Sequence, residues 1–187
     1  MINLLGILLR ELRIHGRGGQ GSVTAAELIA MAAFKSNVYS QAFPAFGVER
    51  RGAPVQAFVR FDDRKIRLRS QIYEPDYIIV QDITLLKDVN VFAGLKEGGI
   101  AVINTEKDVE NAPAGVKILK INATKIALEV LGLPIENTTL MGAFAAATGE
   151  ISLDALKASL NERFAGPLAE KNIRAAETAY NIVKGEM

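Results

Sequence analysis

Apolar positions along this chain change period several times, and the changes mark out its elements. Residues 11–15 alternate polar and apolar with period two, as a short strand does, and run directly into a cluster of glycines at 16–21. Residues 23–34 then repeat Ala, Leu and Ile at helical spacing, with a small-residue face at Ala25, Ala26, Ile29, Ala32 and Ala33 that suits close packing on a sheet. A short extended piece is expected at 38–42, followed by an irregular loop over 43–54. The unbroken apolar runs 77–81, 99–104 and 117–122 are of the kind buried on both faces inside a parallel sheet. Helical patterns at 85–95 and 123–131 separate or follow them. From Asn137 onward the pattern is helical, with Ser152 placed to cap a helix carrying Leu153, Leu156, Leu160 and Phe164.

Residues 55–61 and 65–70 also alternate with period two around Asp62, Asp63 and Arg64, which predicts an antiparallel hairpin. In its second arm Ile66 and Leu68 share one face. Lys65, Arg67 and Arg69 share the other, a basic face expected to be exposed or covered by an anionic partner. The expected architecture is one α/β domain over residues 1–187. Its fold is Rossmann-like, a mostly parallel sheet flanked by helices, with an antiparallel hairpin insertion and a helical C-terminal part. Residues 1–10 form an N-terminal extension outside that pattern. Their apolar run has no basic residue ahead of it, no small-residue cleavage site behind it, and far fewer than the ~18 apolar residues needed to span a bilayer. An extra strand, a partner contact or an artefact of the start codon are its readings, and a cytoplasmic protein with no membrane segment is expected.

Composition narrows the chemistry. The 187 residues include no Cys, no Trp and one His, with 22 Lys and Arg against 21 Asp and Glu, a net charge of +1. That balance excludes a globally basic nucleic-acid binder. Without cysteine, the chain offers no thiolate for an iron–sulfur cluster, a structural zinc or a disulfide.

The sharpest motif is Gly16, Arg17, Gly18, Gly19, Gln20, Gly21, which satisfies G-x-G-x-x-G between a strand and a helix. Glycines there let backbone approach a pyrophosphate, and the free N–H groups of a helix start favour an anion. A dinucleotide site also wants an acid about 20 residues on, and residues 39–43 contain none. A nucleotide-triphosphate loop wants Lys after the last glycine, and Ser22 stands there. A tight turn without ligand and an anion-binding turn both remain open. Between Glu49 and Arg69, seven basic residues face three acids. Arg50 and Arg51 stand out because they lie in an aromatic, Gly- and Pro-containing loop, where a rigidly placed guanidinium suits phosphate or carboxylate. A single His15 builds no metal site and is expected to bond to local backbone. The small-residue run 142–149 is expected to be close helix packing, and Glu49, Asp76 and Asp82 show no acid–base pairing.

Several longer motifs carry a resemblance: residues 15–21, the loop from Gln41 to Val55, the stretch Arg67 to Asp76, and Gln81 with Asp82. Together, and in this order, they resemble the gamma subunit of pyruvate:ferredoxin oxidoreductase from about residue 11 to the C-terminus. The loop of residues 46–54 favours pyruvate or a branched 2-oxoacid over 2-oxoglutarate. The resemblance implies a complex that oxidatively decarboxylates a 2-oxoacid on thiamine diphosphate and Mg²⁺. It passes electrons through [4Fe–4S] clusters to ferredoxin and transfers the acyl group to CoA. Thiamine then belongs to the alpha and beta chains, and clusters to the delta chain. What remains for gamma is scaffolding and, through Gly16–Gly21, Arg50 and Arg51, help in binding the phosphates of CoA. A stand-alone NAD- or FAD-binding oxidoreductase and a pure interaction subunit are the competing readings, and nucleic acid is not an expected partner.

Overall fold

The structure is a computed structural model that describes residues 9–45 and 50–186. The predicted N-terminal extension up to residue 8, and part of the loop that precedes Arg50, lie outside the described residues. The elements run β1 (Arg10–Arg17), α1 (Ser22–Lys35), β2 (Tyr39–Pro44), β3 (Pro54–Asp62), β4 (Tyr77–Val80), α2 (Leu85–Asp88), β5 (Ile100–Asn104), β6 (Lys117–Ile121), α3 (Ala123–Leu131), α4 (Asn137–Thr148), α5 (Leu153–Arg163) and α6 (Gly166–Glu186). Six strands form one sheet in the order β2-β3-β1-β4-β5-β6. β1, β4, β5 and β6 are parallel neighbours, and β3 alone runs against the rest, pairing antiparallel with β1 and β2. This mixed, helix-flanked sheet is the α/β architecture the runs 77–81, 99–104 and 117–122 predict.

Strand alternation sorts side chains between two layers. On one face Leu12, Ile14, Tyr77, Ile79 and Val102 join α1 and α4 in the larger core cluster. On the other, Ile78, Val80, Ala101 and Ile103 pack with Leu85, Val91 and Phe92 in a smaller one. α4 is buried on nearly every side, and its Phe144 meets Tyr77 edge-on at 5.7 Å and stacks on Phe61 at 6.3 Å. A β-carbon on Gly142 would overlap the Ala176 carbonyl of α6, so the small-residue run does serve close helix packing. Ser152 caps α5, its Oγ accepting from the Ala155 N–H at 3.1 Å.

Two expectations fail locally. Residues 65–70 form no strand, because β3 lies between β1 and β2 and has no free edge to offer a second arm. The antiparallel hairpin is β2 with β3 instead. The helical pattern 85–95 gives only the short α2. Beyond it Asn90 Oδ1 accepts from the Phe92 N–H at 3.2 Å, and the carbonyls of Val91 and Ala93 accept from the Arg13 guanidinium at 3.1 and 2.5 Å. A helix would keep those carbonyls for itself.

Candidate functional site

The glycine cluster lies where the chain's direction of travel across the sheet divides. After β1 the chain passes through α1 to β2 and β3 on one side, whereas β4, β5 and β6 build the other. Ligands of open α/β sheets bind at such a point, outside the carboxyl ends of the strands. Gly21 has φ +76 and begins α1 with no side-chain cap and no acid in the first turn. Among the described residues, the N–H groups of Gly19, Gly21, Ser22, Val23 and Thr24 have no backbone acceptor. These donors, at the positive end of a 14-residue helix, suit an anion.

Most of the glycines are explained by the chain's own packing. A β-carbon on Gly16 would overlap Gln81 Oε1 and Ser22 Oγ, one on Gly18 the Arg50 carbonyl, and one on Gly21 the Asn137 amide. Gly19 is different: at φ +100 it has nothing within 4 Å of where a β-carbon would stand. Beside it a cavity of about 260 Å³ is lined by Arg17, Gly18, Gly19, Gly21, Ser22 and Val55, among others. That space is large enough for a phosphate or pyrophosphate group.

Arg50 and Arg51, distant from the glycines in sequence, come to the same place. Gly18 and Arg51 form a β-bridge, Gly18 N–H donates to the Ala53 carbonyl at 2.9 Å, and Gly52 N–H donates to the Gly18 carbonyl at 3.0 Å. Both arginines are exposed and make no ion pair among the described residues. Arg17 behaves otherwise. Its guanidinium donates to Asp82 at 3.0 Å, Asp88 at 2.6 Å, Thr84 at 2.6 Å and the Gly52 carbonyl at 3.1 Å. Its charge is already matched by two carboxylates, so it braces the turn against α2 and the loop at 50–53. Burial alone would raise the Asp82 carboxyl, but its bonds from Thr84 and Arg17 outweigh this and hold it below the usual range. Gln20 braces the turn from the other side: its Oε1 accepts from the Arg17 N–H at 2.6 Å and its Nε2 donates to Glu136 at 3.2 Å.

Three participants were not assigned to the turn from sequence. Gln81 is 1% exposed at the end of β4, accepts from Ser22 Oγ at 2.5 Å, and leaves Nε2 without a partner. A polar residue closing an apolar strand run is the available signal. Glu136 and Asn137, more than a hundred residues away, bring a buried carboxyl and amide to the turn, and burial pushes the Glu136 carboxyl above its ordinary value. His15 bonds not to backbone but to a side chain: its Nε2 accepts from Arg13 Nε at 2.9 Å, both being buried. Burial, helped by the adjacent Arg13 charge, drives the imidazole down to about 3.

Residues 11–182 match the family model for pyruvate ferredoxin/flavodoxin oxidoreductase. Over 171 residues the chain is 60% identical to pyruvate synthase subunit PorC of Methanocaldococcus jannaschii, covering 91% of this chain and 95% of that protein. It is 55% identical over 176 residues to the pyruvate/ketoisovalerate oxidoreductases common subunit gamma of Thermococcus kodakarensis, with 91% and 95% covered. Among solved structures it is similar to pyruvate oxidoreductase subunit PORC of Thermotoga maritima, with TM-score 0.82, 35% identity, and 92% and 96% of the two chains covered. It also shares its fold with part of the 2-oxoglutarate:ferredoxin oxidoreductase of Magnetococcus marinus, with TM-score 0.78, 21% identity, and 95% of this chain against 31% of that one covered. The chain belongs to the pyruvate ferredoxin/flavodoxin oxidoreductase family, as a gamma-type subunit.

Proposed function

We propose that this chain serves a cytoplasmic pyruvate:ferredoxin oxidoreductase, in which pyruvate, CoA and oxidised ferredoxin give acetyl-CoA, CO₂ and reduced ferredoxin. Its partners are alpha, beta and delta chains, which hold the thiamine diphosphate, Mg²⁺ and [4Fe–4S] clusters. The gamma chain, with no cysteine to ligate a cluster, supplies scaffold and a phosphate-binding corner for CoA. The observation that carries this reading is the convergence of Arg50 and Arg51 on a glycine turn whose N–H groups lack backbone acceptors. CoA is bound in the Magnetococcus enzyme that shares this fold. Its pyrophosphate suits the open N–H groups and the space over Gly19, and its 3′-phosphate suits a guanidinium fork. In this arrangement Arg17, Gln20 and Gln81 hold the turn in shape, and Arg50 and Arg51 supply charge. A branched 2-oxoacid is the second substrate reading, favoured by the Thermococcus relative whose name joins pyruvate with ketoisovalerate.

Two experiments test this. Native purification followed by mass spectrometry of the chains is expected to recover companions that bind thiamine and clusters; recovery of this chain alone overturns the assembly. Hydrogen–deuterium exchange on the complex is expected to slow across residues 16–24 and 50–53 when CoA is added. Exchange there indifferent to CoA removes the ligand role.

A further inference from the structure

The basic run between Arg50 and Arg69 is not one surface. Arg50 and Arg51 lie with the glycine turn at the carboxyl end of β1, whereas β3 runs antiparallel to it and ends with Phe61 opposite Arg10. Residues 64–69 therefore leave the sheet at the other end of β1. Eight strand residues at about 3.3 Å each put that end about 26 Å from the glycine turn. Whatever residues 64–69 bind is not the anion held at Gly16–Gly21.

This second basic surface is built by a segment without regular secondary structure that the protein anchors at its far end and leaves bare in its middle. Arg60, itself 1% exposed, donates to Glu11 Oε1 at 2.8 Å and to the Ser70 carbonyl at 2.8 Å, and Ile72 is buried beyond it. Between these points Lys65, Arg67, Leu68 and Arg69 are exposed. Among the described residues the three cations have no ion pair, and the backbone of residues 65–69 makes no hydrogen bond to other backbone. Lys65, Arg67 and Arg69 thus gather three exposed, unpaired positive charges within five residues. Leu68 and Tyr73 add exposed apolar surface, 47% and 70% accessible.

We propose that residues 65–73 are a docking strip for an acidic face of a companion subunit. Charge sets the partner's sign, and the mixture sets its class. Arginine with an exposed tyrosine and leucine is protein-interface composition. A nucleic acid would ask for a broader positive field than a chain of net charge +1 provides. Open N–H and C=O groups along 65–69 give the partner backbone a place to pair as well. The competing explanation is that lysine and arginine here only guard a segment with unpaired backbone against aggregation.

The inference rests on the subunit reading above, and its test separates the two. All subunits are co-expressed with the gamma chain unaltered, as Lys65→Glu/Arg67→Glu/Arg69→Glu, or as the charge-matched Lys107→Glu/Lys125→Glu/Lys171→Glu, whose lysines are exposed elsewhere. The first variant is expected to lower recovery of companions about tenfold or more at physiological salt while the second keeps it, and rising salt is expected to release the unaltered gamma chain. Equal recovery of companions with both variants, or an unaltered complex indifferent to salt, overturns the docking strip. Should the unaltered chain recover no companions, the subunit reading fails with it. Thermal melting of the altered gamma chain at the unaltered midpoint confirms that any loss of assembly is not misfolding.

Discussion

His15 is the only histidine in the chain, and its setting makes a sharp prediction about stability and pH. The Arg13 Nε–H donates to its Nε2, so the ring must be neutral and carry its proton on Nδ1. Arg13 is in turn held by the carbonyls of Val91 and Ala93. Protonating His15 removes the acceptor and sets a second cation beside a buried guanidinium, which is why burial and Arg13 together bring the imidazole from 6.5 to about 3. The unfolded chain therefore takes this proton first. The stabilisation is complete above pH ~6.5 and is lost as pH falls, by about 1.4 kcal/mol per unit, levelling off only near pH ~3. Between pH 7 and pH 5 the loss is about 2 kcal/mol. Glu136 acts in the opposite sense, since burial raises its carboxyl and the native state gains its proton first as pH falls. Comparing wild type with His15→Gln at each pH cancels that contribution. Urea unfolding at pH 7, 6 and 5 is expected to show the gap between wild type and His15→Gln shrinking by that amount. The single imidazole resonance in NMR is expected to stay unprotonated through pH 5. A titration midpoint near 6.5, or parallel pH profiles for the two proteins, refutes the reasoning.

Gly142→Ala places a methyl on the Ala176 carbonyl, so α4 and α6 must separate. The expected cost is about 1–3 kcal/mol in spite of alanine's better helix propensity, read from the urea midpoint. Glu136→Gln keeps an acceptor for Gln20 while removing a carboxylate that burial disfavours. Thermal melting is expected to rise near neutral pH and to converge with wild type in acid, and a variant less stable at both ends contradicts the assigned burial penalty.

The parallel strands β4, β5 and β6 were legible because local pattern sufficed for them. Runs 77–81, 99–104 and 117–122 became β4, β5 and β6 nearly residue for residue, and Ser152 caps α5 as its spacing predicts. The failures share one cause, which is that period alone does not count partners. Residues 65–70 alternate as a strand does, yet β3 has both edges occupied. Arg17 reads as an anion ligand until Asp82 and Asp88, 65 and 71 residues on, are seen bonded to it. The net basic run from Arg50 to Arg69 gives no hint that one strand divides it between opposite ends of the sheet. Gln81, Glu136 and Asn137 reach the turn through tertiary packing. The Arg13–His15 pair was missed, His15 being expected to bond to local backbone, although the two polar residues alternate with Leu12 and Ile14 and so share one face of β1.

The most direct test of the central claim is a calorimetric titration of CoA into the assembled complex, with the gamma chain unaltered or as Arg50→Ala/Arg51→Ala. Loss of even one charge-assisted bond to phosphate, worth about 1.5–3 kcal/mol, is expected to raise Kd about tenfold or more and to flatten its salt dependence, with the complex still intact. An unchanged Kd and salt dependence in an intact variant complex would contradict the assignment of the CoA phosphates to this corner of the gamma chain.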